Sequence, residues 1–120
     1  MRRKPGMSQE EFLHHWRHVH APTVLQNREV LKIAAYTQRV PLAHEFSARV
    51  ERAGRALAPF DGVAELCWED ETAFRDGLSS PAAIAVQKAL AADEENFIDV
   101  SASARWICRS DTLYDASGRA

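Results

Sequence analysis

Arg3-Lys4-Pro5-Gly6-Met7-Ser8-Gln9-Glu10-Glu11-Phe12, followed by Trp16 and then His20-Ala21-Pro22, is the stretch from which the fold of this chain is read. Ser8 and Glu11 form a capping box, in which hydroxyl and carboxylate each satisfy a free backbone N–H. The box predicts a helix opening at Ser8 and running to about His20. Phe12, Trp16 and Val19 recur at helical spacing and predict its buried stripe. Pro22 is expected to end or kink the helix, with a short helical turn over Thr23 to Gln26 able to follow.

Working outward, Leu31 to Val40 is rich in branched and aromatic residues and reads as a strand closed by Pro41. Phe46, Val50, Ala53 and Leu57 then suggest an amphipathic helix between Glu45 and Leu57, weakened by Gly54 and ended by Pro59. Phe60 to Trp68 reads as a strand with mostly apolar residues on both faces. Asp70 caps a short helix from Glu71 to Leu78. Ser80 with Pro81 caps an alanine-rich helix to about Ala92. Ala104 to Arg109 reads as a last strand, and Asp111 to Ala120 as a polar tail. Residues 1–110 therefore form one expected domain and 111–120 its tail. Strands separated by helices predict an α+β domain with helices on one face of the sheet. The uncovered face, apolar in two strands, predicts self-association.

The 120 residues suit a single core. A composition of 46% hydrophobic and 27% charged residues, with 5 Gly and 5 Pro, excludes collagen-like and strongly disordered chains. A net charge of -2 gives no basic face for nucleic acid. No apolar run approaches the roughly 18 residues of a membrane span. The basic start runs into Pro-Gly-Met-Ser rather than a signal-like apolar segment, so a cytoplasmic protein is expected. Cys67 and Cys108 lie far apart in strand-like runs without CxxC spacing. They are expected to be buried free thiols.

The opening block, with Tyr36 in the next strand, Asp61-Gly62-Val63-Ala64-Glu65-Leu66 and Phe97-Ile98-Asp99, resembles the EthD-domain family from Arg3 to about Cys108. The resemblance implies a ferredoxin-like antiparallel sheet pairing face to face as a dimeric α/β barrel. It also implies a homodimer holding a small hydrophobic molecule, without a cofactor. Family members are linked to ether degradation. Related barrels include cofactor-free oxygenases, cyclases, dehydratases and lactone isomerases, and others bind or degrade haem. Family membership fixes fold better than chemistry. The family has a strand before its Arg-Lys-Pro-Gly turn, central in the sheet, where this chain has only Met1 to Lys4. A truncated first strand is therefore expected. One candidate to fill the gap is the tail around Leu113 and Tyr114, from this chain or a partner.

His20 is the leading catalytic candidate, because it lies at the edge of the apolar stripe, and an imidazole suits proton transfer near neutrality. The matching family position is also a histidine. The structural alternative is a hydrogen bond holding the turn near Pro22. Glu65 and Asp99 are the carboxylates proposed to polarise it. The alternatives are an ion pair from Glu65 to Arg39 or Arg105, and a turn-capping Asp99. Asp61, before Gly62, reads as a turn or cap residue. Trp16, Tyr36, Gln38 and Trp68 are expected to contact substrate, with core packing as the plainer reading and Trp106 a further pocket candidate. His14 and His18 are four apart but lack an HExxH glutamate and a third ligand, so no metal is expected. The reaction that fits is a dehydration, isomerisation or cyclisation by proton transfer. The alternative is a non-catalytic protein that binds a small hydrophobic ligand. Haem binding through His20 ranks third.

Overall fold

The computed structural model describes residues 1–54 and 58–118. Ser8 opens the first helix by accepting from the Glu11 N–H. Helix α1 spans Gln9–His15, a π-helical stretch follows over Trp16–His20, and α2 spans Ala21–Gln26. Pro22 therefore does not end the helix. It sits in the first turn of α2, where a missing N–H costs nothing. The π stretch before it absorbs the irregularity, with Ala21 N–H donating to Trp16 O.

Strand β1, Ala35–Arg39, is shorter than Leu31 to Val40 because a run of turns precedes it. Lys32 adopts φ 55° there, and Leu31 is buried. Strand β2, Val63–Cys67, pairs antiparallel with β1, Tyr36 opposite Leu66 and Gln38 opposite Ala64. Between them, α3 covers Ser47–Gly54 and buries none of its residues. The predicted core stripe is absent there: Val50 is exposed, and so is Phe46 just before the helix, while Leu57 lies outside the described residues. Helices α4, Glu71–Ser79, and α5, Pro81–Glu94, begin at the expected caps, Asp70 and Ser80. The N–H groups of Ala73 and Ala83, which lack partners within the helix, donate to those side chains at 2.8 and 3.1 Å.

The result is an α+β arrangement with a two-stranded antiparallel sheet, consistent with a ferredoxin-like fold. Its sheet is short of strands. Met1–Lys4 is extended, and its backbone bonds alternate sides. Met1 pairs reciprocally with Gly62, while Arg3 N–H donates to the Asp61 carboxylate at 2.8 Å. Arg2 and Lys4 instead bond to Asp99 and Phe97 on the other side. This is the bonding of a strand flanked on both sides. The predicted last strand does not form: among the described residues Ala104 to Arg109 has no strand partner, and Trp106 is 68% and Ile107 81% exposed. The chain beyond Asp99 lies on the far side of Met1–Lys4 from β2, and no described strand runs beside it. The tail does not fill the gap either, since Leu113 is 95% and Tyr114 84% exposed. Nor are the cysteines both buried. Cys67 is half-buried, Cys108 is exposed, and both are free thiols.

The core joins these pieces. Phe12, Trp16, Phe97 and Ile98 form one buried cluster, backed by Met1, Met7 and Leu13. The Phe12 ring lies 5.8 Å from that of Trp16 and 5.5 Å from that of Phe97. Phe97 follows α5, so its burial fastens the end of α5 to α1. Trp68 Nε1 donates to Leu31 O at 2.9 Å, and its ring meets Phe74 edge-on. Gly77 is needed at that contact, because a Cβ there would overlap the Leu31 carbonyl. Phe97→Ala is expected to lower stability by about 3–5 kcal/mol. Gly77→Ala should also destabilise, despite its gain in helix propensity. Urea denaturation of both variants checks this, and a Gly77→Ala protein at least as stable as wild type would contradict the packing at Leu31.

Candidate active site

His20 sits at the end of the π stretch with only 9% of its side chain exposed. In a regular α-helix, His15 and His20 would point about 140° apart. An i→i+5 turn takes more residues per revolution, so the π stretch swings the two histidines toward one side. Both reach Asp93, near the end of α5. Asp93 Oδ2 is 2.8 Å from His20 Nδ1, and Oδ1 is 2.9 Å from His15 Nε2. Asn96 Nδ2 also donates to Oδ1, at 3.2 Å. The Phe97 ring floors the group, its centroid 4.7 Å from that of His15 and 5.1 Å from that of His20.

The Asp93 side chain is 23% exposed. Burial alone would raise its pKa. Hydrogen bonds from His20, His15 and Asn96, with the charge of His15, outweigh that and hold it below the ordinary carboxylate range. An ionised carboxylate only accepts hydrogen bonds, so His20 Nδ1 and His15 Nε2 must carry the protons that face it. The Nε2 of His20 has no hydrogen-bond partner among the described residues. No buried side-chain nitrogen or oxygen among the described residues lacks one, so this atom retains contact with the surface. A neutral His20 oriented in this way presents a lone pair outward, and a protonated one presents a proton. That is the equipment of a general acid/base with an orienting carboxylate.

The carboxylates expected beside His20 lie elsewhere. Glu65 accepts from the Arg39 guanidinium at 3.2 Å across the two strands. Asp99 stands before the turn at Val100–Ala102 without a side-chain cap to its backbone, its carboxylate accepting from Ser101 Oγ at 2.7 Å. Asp61 holds Arg3, as described. Arg105 pairs with Glu94 rather than with Glu65. Asp93 carried a signal of its own. Asp93, Glu94 and Glu95 put negative charge at the C-terminal end of α5, against the helix dipole, and such a breach of local preference often marks a site. His15 carried a comparable signal, because regular helical spacing puts it about 60° from Phe12, on the edge of the apolar stripe opposite to His20.

A second polar group stands on the other side of Trp16. The carbonyl of Trp16, drawn into the π turn, accepts from Gln38 Nε2 at 3.2 Å. The same amide donates to Tyr36 Oη at 3.0 Å, which leaves the Tyr36 O–H free to donate. Burial raises the Tyr36 phenol pKa, against hydrogen bonds from Gln38 and Trp16 and with help from the Glu94 charge. The phenol therefore stays protonated as a donor at neutral pH. Gln38 and Trp16 also line an open depression of about 400 Å³ with Leu13, His14, His18 and Val40. Gly62 lets the Trp16 indole lie directly against the backbone, where any Cβ would collide with the ring. Trp68 is remote from this depression in its contacts, packed under α4. The His14 and His18 rings touch, 4.8 Å apart, but no group of three metal-ligating side chains occurs among the described residues. No helix among them is long and apolar enough to cross a membrane.

Helices against an antiparallel sheet, with a histidine–carboxylate group held between α1, α2 and α5, define the class as an α+β domain with a candidate acid/base site. The sequence pattern of the EthD domain matches residues 4–101, and the chain belongs to that family. No curated protein and no solved structure matches it.

The depressed Asp93 pKa has a stability consequence of fixed sign. Its contribution is present above the unfolded carboxyl value, about 3.9, and is lost as pH falls through the lower folded value. Asp93→Asn leaves two imidazoles without their charged acceptor and should cost about 1–3 kcal/mol at neutral pH. The gap between wild type and variant in urea midpoint should narrow below about pH 4. A gap unchanged from pH 7 to pH 2.5 would contradict the pairing.

Proposed function

We propose that this EthD-domain chain is a cofactor-independent lyase or isomerase, with His20 moving a proton to or from a small apolar, oxygenated substrate. The observation that carries the reading is the His20 Nδ1 to Asp93 Oδ2 contact of 2.8 Å, with the opposite ring nitrogen unpaired. Asp93 fixes the tautomer and stabilises the imidazolium that forms when His20 accepts a proton. Trp16 and Leu13 offer apolar contact, and the free Tyr36 O–H suits a substrate carbonyl or ether oxygen. Double-bond migration takes a proton from one carbon and returns it at another. Dehydration takes a C–H proton and delivers it to the hydroxyl that leaves as water. An imidazole that accepts and then gives up one proton serves both. A homodimer that covers the exposed side of the sheet belongs to the same proposal.

The contrasting reading is a binding protein without turnover. What favours it is that the depression at Trp16 is not lined by His20, while Asp93 is satisfied by three donors. The two readings separate in one experiment. Small aromatic ketones and lactones are incubated with the protein in deuterated buffer, and C–H exchange beside the carbonyl is followed by NMR. Wild type should catalyse exchange, and His20→Ala should reduce it by about 10²–10⁴ with the circular dichroism spectrum unchanged. Equal exchange by His20→Ala would overturn the catalytic role. Binding without exchange by wild type would support the binding protein.

A further inference from the structure

Asp93 is held more firmly than its own hydrogen bonding requires. It lies in the last turn of α5, where the helix dipole disfavours a negative charge. Its side chain is 23% exposed, so water could satisfy an oxygen left unpaired. Among the described residues the two carboxylate oxygens nevertheless have different company. Oδ2 meets His20 Nδ1 alone, whereas Oδ1 takes two donors, His15 Nε2 at 2.9 Å and Asn96 Nδ2 at 3.2 Å. Rotation of a carboxylate about χ2 is soft and nearly two-fold, so one bond to His20 would not fix its plane. The His15 ring is itself fixed, by its place at the end of α1 and by stacking on Phe97 with the ring planes 29° apart. Its other nitrogen, Nδ1, has no hydrogen-bond partner among the described residues, so the polar contact this ring makes there is the one to Asp93.

We infer that His15 is a positioning residue: by holding Asp93 Oδ1 it sets the carboxylate plane and aims Oδ2 at His20 Nδ1. The inference rests on the catalytic reading of His20 given above. A group that moves protons works only when held within about 0.5 Å of its productive geometry. Here that rigidity comes from a donor on a different helical run from the one that carries Asp93. The bond needs only the proton on His15 Nε2, so a neutral His15 serves as well as a charged one. Asn96 assists from the turn after α5, where its own N–H donates to Asp93 O at 2.9 Å. The π stretch thereby gains a use, since its i→i+5 turn is what brings His15 and His20 to one carboxylate.

Two replacements separate positioning from packing. His15→Phe keeps a ring against Phe97 but removes the donor. His15→Gln loses the ring but can place its amide Nε2 where the imidazole Nε2 stood. In His15→Phe the Asp93 side chain should leave its single χ1 rotamer, read from three-bond couplings to its Cγ. Neutral His20 should then shift toward the Nε2–H tautomer that a free imidazole side chain favours. With 2-tetralone as the probe for C–H exchange in deuterated buffer, kcat should fall about 10- to 100-fold with KM unchanged. His15→Gln should recover most of the rotamer, the tautomer and kcat despite the lost stacking. A His15→Phe protein with the wild-type rotamer and tautomer, or with undiminished kcat beside an active wild type, would overturn the inference. So would a His15→Gln protein as impaired as His15→Phe. If wild type exchanges no C–H of 2-tetralone, the catalytic reading fails on its own. The rotamer and tautomer of the two variants then decide whether His15 positions Asp93.

Discussion

One carboxylate shared by two imidazoles is the contact on which this structure turns. Asp93 binds His15 and His20 through different oxygens, which ties the first helical run to the end of α5. Phe97, one turn beyond, packs under both rings and into the Phe12–Trp16 core. The polar clamp and the apolar cluster are therefore built from the same two segments. Each restricts the freedom of the other, so ordering cost is shared between them. The π stretch is what allows the clamp. Without it, His15 and His20 would diverge and Asp93 could satisfy only one.

Much of this was legible in the residues. Ser8, Asp70 and Ser80 cap helices where their side-chain chemistry says they should, because capping is local and depends on three or four residues. The two strands that carry Tyr36 and Glu65, and the membership in the EthD family, were likewise readable, whereas the pairing of those strands was not. His20 stood out because a polar ring at the edge of an apolar stripe conflicts with its surroundings. Its partner was not readable in the same way. Asp93 is 73 residues away, and the rotation that brings His15 to it comes from one irregular turn. Regular helical spacing puts His15 and His20 on opposite edges of the apolar stripe, so it gave no reason to bring them to one partner.

The misreadings at Ala104–Arg109 and at the helix after Glu45 share a physical origin. Composition reports what a segment prefers once buried, whereas burial depends on a neighbour. Trp106 and Ile107 have strand propensity and no strand beside them. Phe46 and Val50 have helical spacing and no surface to cover them. The site and the sheet edge thus differ in kind. The histidine–carboxylate group is built within this chain, whereas the far edge of β2 is unpaired among the described residues.

The tautomer of His20 tests the central claim most directly. Long-range ¹H–¹⁵N correlation on imidazole-labelled protein at neutral pH assigns which ring nitrogen holds the proton. A bond donated to an ionised Asp93 requires a proton on Nδ1, with a signal that moves on Asp93→Asn substitution. A neutral His20 protonated on Nε2, indifferent to that substitution, would contradict the account.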